Sequence, residues 1–528
     1  MMRICHILLL LAVAFSSCSR ASRLPDGTYT LELYSHGDLH GNFFTTLPKI
    51  ASIVHQARDS VGEENVLFID LGDHNHGSNS AYYFNHIYRY PQGEGHLYSR
   101  IANSLKYDAI VAGNHDIEAG FENFNKIKDE LQMPYLAANV IDSATRSPYL
   151  HPSAILDKNG LKIAIIGFTT PSVELWLGPE KRGGLHFERI QNMTDSLVKQ
   201  VNEVEKPHFT ILALHSGAGD GTVSDYENVA SYLASNISGV DLILAAHDHL
   251  SSISYENGVY ILNSGPYGAI LNNAQIRVYV KDGKIVGKNV VPVAIHTADA
   301  DPSQDFLNMF TEEIGEVDRF SNSPIGKTDR DIDPGKIFNS PCAYSNLLHF
   351  VQLQCTGADI SFVSPTKSGN ILKEGVVSWN DILQLYPFEN ILYKVRLKGS
   401  EIKKYLEESY SIFDDKGKTV GKPYKFDCAG GVIYEVTLSR PVGERVHIFS
   451  FTNGQKFDMD STYSAAMVSY RANGGGGLLS KATGLESSQL GGICTGKYTD
   501  VRELLYRFFS SSVSLEEIEG CAQWRLIK

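Results

Sequence analysis

Cysteine is scarce in this chain, with seven in 528 residues. Setting aside Cys5 and Cys18 leaves Cys342, Cys355, Cys428, Cys494 and Cys521, all in the C-terminal half, and no metal motif such as CxxC occurs. Their spacing gives no connectivity, so most are expected to be structural. No block of Lys or Arg is present and the net charge is −13. The clustered positive face that a nucleic-acid polymer requires is therefore missing, although bound metals can still serve a small anion. Gly-x-Ser-x-Gly is absent, which removes the usual signature of a serine nucleophile. No repeat of fixed period and no low-complexity tract beyond Gly474–Gly477 appears, which excludes solenoids and propellers. At 43% hydrophobic and 20% charged the chain is neither disordered nor a multi-span membrane protein, and its length calls for at least two domains.

The N-terminus reads Met1-Met2-Arg3, an apolar run from Ile7 to Phe15, then Ser16-Ser17-Cys18-Ser19, which is the layout of an export signal. The small residues before Cys18 resemble a bacterial lipobox, so residues 1–18 are read as a lipoprotein signal in which cleavage ahead of Cys18 leaves that Cys as the lipidated first residue of the mature chain, plain signal cleavage being the alternative. That places the chain in the periplasm or on a membrane surface, held by lipid alone.

From Tyr29 to about Pro292 apolar strand-like runs alternate with helical or loop stretches, as in layered α/β folds. The expected strands are Thr28–Tyr34, Asn65–Leu71, Tyr107–Ala112, Lys162–Phe168, His208–Leu214, Val240–Ala245 and Gly258–Leu262. Near Asp301 begins what reads as a single amphipathic linker helix over 301–323, with Phe306, Met309, Phe310 and Ile314 on one face. Residues 324–528 form a second α/β domain, and residues 28–300 the first. The stretch Tyr82–Tyr98, rich in Tyr, His and Gly, is either a cleft wall or a surface loop.

Fifteen of the seventeen His residues after Cys18 precede Asp301, and several stand where an expected strand stops. The strand ends deliver Asp38-Leu39-His40-Gly41, Gly72-Asp73, Gly113-Asn114-His115-Asp116, then His215, and finally His247-Asp248-His249. Loops beyond the carboxyl ends of strands converge on one crevice in such sheets. The mixture of carboxylates, imidazoles and one Asn suits a pair of Zn, Mn or similar divalent ions better than Ca or Mg. His74 and His76 are read as residues of a solvated or substrate-facing loop.

The order DxHG, GD, GNH, strand-end His and HxH resembles the calcineurin-like metallophosphoesterases, and the whole chain after the signal resembles the 5′-nucleotidase / UDP-sugar hydrolase family. The resemblance implies a four-layer αββα first domain and a C-terminal substrate-recognition domain. It implies that Asp38, His40, Asp73 and His249 hold one metal and Asp73, Asn114, His215 and His247 the other, with Asp73 bridging. His115 then matches the catalytic histidine, with an electrostatic or acid role. Glu118 is the carboxylate expected to orient it and Asp116 the competitor; the need to reach the second ring nitrogen favours Glu118. The implied reaction is hydrolysis of a phosphate monoester by a metal-activated hydroxide in line with the leaving oxygen.

The C-terminal half departs from the family. Phe388 after Pro387 and Tyr470 match its two base-stacking aromatics. Its Asn- and Gly-rich loop ending in Ile-Arg is replaced by Ser364-Pro365-Thr366-Lys367-Ser368-Gly369, and its upstream Arg by the neighbourhood of Ser340. Gly476 stands where a ribose-binding carboxylate is expected. Lys367 and Arg471 are the candidates to restore positive charge for phosphate. The substrate is thus expected to be a small phosphate ester, possible forms being a nucleotide or, as the alternative, a cyclic nucleotide or nucleotide sugar cleaved as a phosphodiester or pyrophosphate. No partner protein is expected.

Overall fold

The computed structural model describes residues 24–528 apart from 119, 178–181, 367–369 and 389, so the expected export signal with Cys18, and Lys367, lie outside the described residues. Two six-stranded sheets build the first domain. In one, Gly27–His36 pairs antiparallel with Ile270–Lys281 and parallel with Val66–Asp70, and the sheet continues through Ala109–Val111 to Tyr135–Leu136. In the other, Leu161–Thr169, Phe209–His215, Leu242–Ala245 and Val259–Asn263 run parallel in that spatial order.

The four layers follow from the period of two along each strand. In Val66–Asp70, Leu67 and Ile69 face the second sheet while Val66 and Phe68 face helices. In Leu161–Thr169, Ile163 and Ile165 face the first sheet while Ala164 and Ile166 face the helix Ile190–Glu205 and its neighbours. Strands apolar on both faces must be covered on both faces, which yields αββα.

All seven expected strands are present. The long hairpin Ile270–Lys281/Lys284–His296 and the edge strands Ser153–Lys158 and Ser252–Glu256 were not legible as strands, because their outer faces are polar or exposed and break the apolar pattern.

The single linker helix is corrected. Two helices, Gln304–Met309 and Thr311–Asn322, meet at Phe310, whose φ of −115° and ψ of 26° are not helical. Phe306 and Phe310 both sink into the first domain's aromatic core, whereas Met309 is 59% exposed. The turn at Phe310 redirects the second helix so that Val317 still faces that core while Phe320 reaches the second domain.

In the second domain a five-stranded sheet carries Thr462–Val468 at its centre, between Ile360–Val363 and Ile391–Lys398. The helices Ala343–Thr356, Gly399–Tyr410 and Val501–Phe509 contribute to its core, beside a separate three-stranded sheet. Among the described residues no disulfide forms; all five Cys are free, and Cys428 is wholly buried.

The two domains are joined by an aromatic stack. Tyr82 lies 4.4 Å from Trp379 at 25°, and Phe320 of the linker lies 5.8 Å from the same indole. Trp379 is 1% exposed, so Trp379→Ala opens a cavity between the domains and is expected to cost about 3–5 kcal/mol in urea unfolding. A loss below about 1 kcal/mol would show that the stack contributes little.

Candidate metal centre

Asp38, His40, Asp73, His247 and His249 have positive φ, between 49° and 86°. Left-handed backbone costs a residue other than Gly about 1 kcal/mol, and such conformations cluster where a site is held in place. Each lies just past a parallel strand of one of the two sheets.

The glycines of the motifs allow the loops to meet. A Cβ on Gly72 would stand 2.5 Å from Gly113 N, and one on Gly113 would stand 2.1 Å from Asp73 Oδ1. Asp116 ties the loops together: its carboxylate accepts N–H bonds from Gly113 at 2.7 Å, Asp73 at 3.2 Å, His74 at 3.0 Å and Asn75 at 3.2 Å. Burial first, then the Asp73 charge, raises its pKa to about 7. Asp116 is therefore a loop clamp and does not touch the His115 ring through these bonds.

The ligating atoms fall into groups. Those of Asp38, His40 and His249 lie within 4.8 Å of one another, and so do those of Asp73, His215 and His247. His40 Nε2 is 3.0 Å from His249 Nε2, which is itself 3.5 Å from Asp38 Oδ1. Around His215 the proton count is decisive. Its Nδ1 is 2.7 Å from the carbonyl of Leu71, which only accepts, so the proton of the neutral ring sits on Nδ1. Nε2 then presents a lone pair to Asp73 Oδ2 at 3.1 Å and Asn114 Oδ1 at 3.1 Å. Three acceptors facing one another in a buried place require a cation or an extra proton between them. Burial pulls the His215 pKa down, but the Asp73 charge overrides it and raises the value to about 9. Asp38 Oδ1 is likewise buried without a hydrogen-bond partner. This donor set fits divalent ions of the Zn or Mn type.

His115 stands beside these groups. Its Nδ1–H donates to Glu118 Oε2 at 2.5 Å, and its backbone N–H donates to Asp73 Oδ1 at 2.7 Å. Burial lowers its pKa, yet Glu118 and Asp73 more than compensate and bring it to about 10. Its ring is parallel to that of His76, 4.9 Å away at 14°.

The reading of His74 is corrected: it is fully buried and stacks on Tyr98 at 3.5 Å and 5°. The same Tyr98 hydroxyl donates to Asp70 Oδ2 at 2.6 Å. The Tyr82–Tyr98 stretch thus buttresses the metal loops from behind with Phe84, Leu97 and Tyr98 while Tyr82, Asn85 and His86 turn to the cleft. Nothing in the sequence distinguished its buried half from a surface loop.

A cleft of about 820 Å³ opens over Asp73, Asn114 and His115 and is closed on the far side by the second domain through Tyr393, Tyr470 and Tyr498. Tyr470 is half exposed there, with the Arg471 guanidinium 5.3 Å from its ring centre. Phe388 does not line this cleft with Tyr470; its ring stands edge-on 6.0 Å from Tyr386. Arg471 is corrected too. It is 1% exposed, with Nε and Nη2 on Asp427 at 2.9 and 2.7 Å, Nη1 on Gly475 O, and Nη2 also on Tyr424 O. An arginine this small in exposure, so fully engaged, cannot restore a phosphate contact.

Comparison with known proteins agrees with this architecture. The calcineurin-like phosphoesterase family matches residues 36–251, and the 5′-nucleotidase C-terminal domain matches residues 324–483. A 2′,3′-cyclic-nucleotide 2′-phosphodiesterase/3′-nucleotidase of Salmonella typhimurium is 25% identical over 86% of this chain and 83% of its own length. A 5′-nucleotidase of Vibrio cholerae is 23% identical over 86% of each. The solved 5′-nucleotidase precursor of Thermus thermophilus aligns with a TM-score of 0.58 at 18% identity, covering 95% of this chain and all of that one. Calcineurin-like metallophosphoesterases work with divalent metal ions, for which the grouped side chains here are candidates. The chain belongs to the 5′-nucleotidase family of metallophosphoesterases and is a metal-dependent phosphoric ester hydrolase.

Proposed function

We propose that this enzyme hydrolyses the phosphate monoester of a nucleotide at two divalent ions, Zn, Mn or similar. The observation that carries the reading is the set of buried acceptors around His215 Nε2, which only positive charge can reconcile. Asp38, His40, Asp73 and His249 would hold one ion, and Asp73, Asn114, His215 and His247 the other, so that Asp73 would be shared; its Oδ1 accepts from the His115 N–H and its Oδ2 faces His215 Nε2. When bound, such ions neutralise phosphoryl charge and lower the pKa of a water nucleophile.

The chain's own residues do the rest. Leu71 O fixes the His215 tautomer, and such second contacts keep a ligand oriented. Glu118 holds His115 by Nδ1, so Nε2 is the ring atom that carries a proton toward the phosphoryl or leaving oxygen. Tyr470 offers a ring to a base. The Met1–Ser19 layout supports export with a lipid at Cys18, and no helix among the described residues is long and apolar enough to cross a membrane.

A second reading is hydrolysis of a cyclic nucleotide. The names of two relatives covering about 85% of the chain favour it, as does the missing pair of loop arginines. Incubation of the Mn-loaded protein with nucleoside monophosphates, cyclic nucleotides and nucleotide sugars decides between them, read by inorganic phosphate for the monoesters and by chromatography of the nucleotide products for the others; no product from any ester contradicts both.

His115→Ala is expected to lower kcat by about 10²–10⁴-fold with metal content unchanged, read by phosphate release and elemental analysis. Asp116→Ala frees four backbone N–H groups of the two loops and is expected to weaken Mn binding by about tenfold or more in a metal titration.

A further inference from the structure

His76 stands in the metal loops but outside both ligand sets. The loop after Val66–Asp70 carries His74 and His76, and the two part company. His74 is sealed beneath Tyr98, whereas His76 lines the cleft beside His115 and Glu118. Its ring lies parallel to that of His115, with centroids 4.9 Å apart at 14°. That is the spacing of an offset stack.

The position of His76 is imposed from both sides. Before it, the Asn75 N–H donates to Asp116 Oδ1 at 3.2 Å, and Asn75 exchanges two further bonds with Asn85: its Nδ2 donates to Asn85 Oδ1 at 3.1 Å, and its carbonyl accepts from Asn85 Nδ2 at 2.8 Å. After it, Gly77 has a φ of 120°, and a Cβ there would stand 2.9 Å from His40 Cβ. The Ser78 hydroxyl then donates to Gly41 O at 2.6 Å. The loop is thus fastened to the Asp116 clamp, to the Tyr82–Tyr98 stretch and to the DxHG loop, which keeps the backbone of His76 beside His115.

His115 needs such a contact. Glu118 holds its Nδ1–H, but one hydrogen bond fixes a point of the ring and leaves its plane free to turn about the Nδ1···Oε2 line. Neither partner is sealed in: the side chains of His115 and Glu118 are 27% and 13% exposed. His40 meets the ring only edge-on, 5.3 Å away at 63°. A flat surface against one face removes the remaining rotation, so the edge bearing Nε2 keeps one orientation. A misplacement of about 1 Å can cost a reaction on the order of 10²-fold, and an aromatic stack is worth about tenfold in an equilibrium, enough to show in turnover.

Building on the proposed function, in which His115 Nε2 handles the proton, we propose that His76 is a positioning residue: its ring, stacked on His115, holds the plane of that imidazole for the hydrolytic step and binds neither a metal ion nor the phosphate. Its effect therefore falls on kcat and passes entirely through His115.

The test uses the full-length Zn-loaded protein with p-nitrophenyl phosphate as the phosphate monoester. His76→Ala is expected to lower kcat by about tenfold, with KM within about twofold of wild type and zinc content unchanged by elemental analysis. His76→Phe, which restores a flat ring, is expected to return kcat to within about twofold of wild type. His76→Leu, which fills the space without a flat ring, is expected to behave as His76→Ala does and carries the test if that variant is less stable. In the His115→Ala background His76→Ala is expected to change kcat by less than about twofold, because the ring it positions is gone. Crystals of the Zn-loaded His76→Ala protein are expected to show the His115 ring in more than one orientation, and those of His76→Phe in one. A loss of about tenfold that persists in the His115→Ala background, no rescue by Phe, loss of zinc, or an unchanged single orientation of His115 in His76→Ala overturns the proposal. A wild type that hydrolyses no ester sinks the hydrolytic reading, and the order of the His115 ring in the two crystals still decides the stack.

Discussion

Three buried atoms that only a cation or an extra proton can reconcile set the terms for the first domain. With Leu71 O holding the proton of His215 on Nδ1, Nε2 meets Asp73 Oδ2 and Asn114 Oδ1 at 3.1 Å each. A buried arrangement of this kind is unstable without positive charge between the atoms, and the surrounding structure is built to impose it. Five of the seven expected ligands are held in left-handed backbone, Gly72 and Gly113 let two loops come within contact distance, and Asp116 binds four N–H groups across them. These features are expensive singly and consistent together, which marks a functional centre more firmly than any one motif does.

The second constraint is mechanical. Tyr82 of the Tyr82–Tyr98 stretch, Phe320 of the linker and Trp379 of the second domain form one aromatic stack, so the cleft wall keeps its place over His115 through apolar contact. Reaction and recognition are thereby assigned to different halves. The reacting end is carried by loops after parallel strands of two sheets; the far end, among the described residues, presents tyrosines, carboxylates and Arg502.

The strands of the first domain and the residues at their ends were legible because parallel strands buried on both faces read as unbroken apolar runs, and Asp or His immediately after such a run is conspicuous. What could not be read was depth. His74 and His76 share one loop, yet His74 is sealed beneath Tyr98, and only the packing of the Tyr82–Tyr98 stretch decides that. Position in sequence likewise put Arg471 beside Tyr470 in a substrate loop, while the buried Asp427, far away in the chain, claims its guanidinium. Spacing predicted one linker helix because Phe306, Met309, Phe310 and Ile314 have helical periodicity; the break at Phe310 follows from both phenylalanines anchoring in the same core. Asp116 and Glu118 were both candidates to hold His115, and only the contacts separate a loop clamp from the partner of Nδ1.

The most direct measurement of the account is anomalous diffraction at the Mn edge from crystals grown with Mn. It predicts two sites, one bounded by Asp38, His40 and His249 and one by Asp73, Asn114, His215 and His247, with Asp73 between them. Mn confined to the neighbouring group of His76, His115 and Glu118, or no ordered Mn beside His215 Nε2, would contradict it.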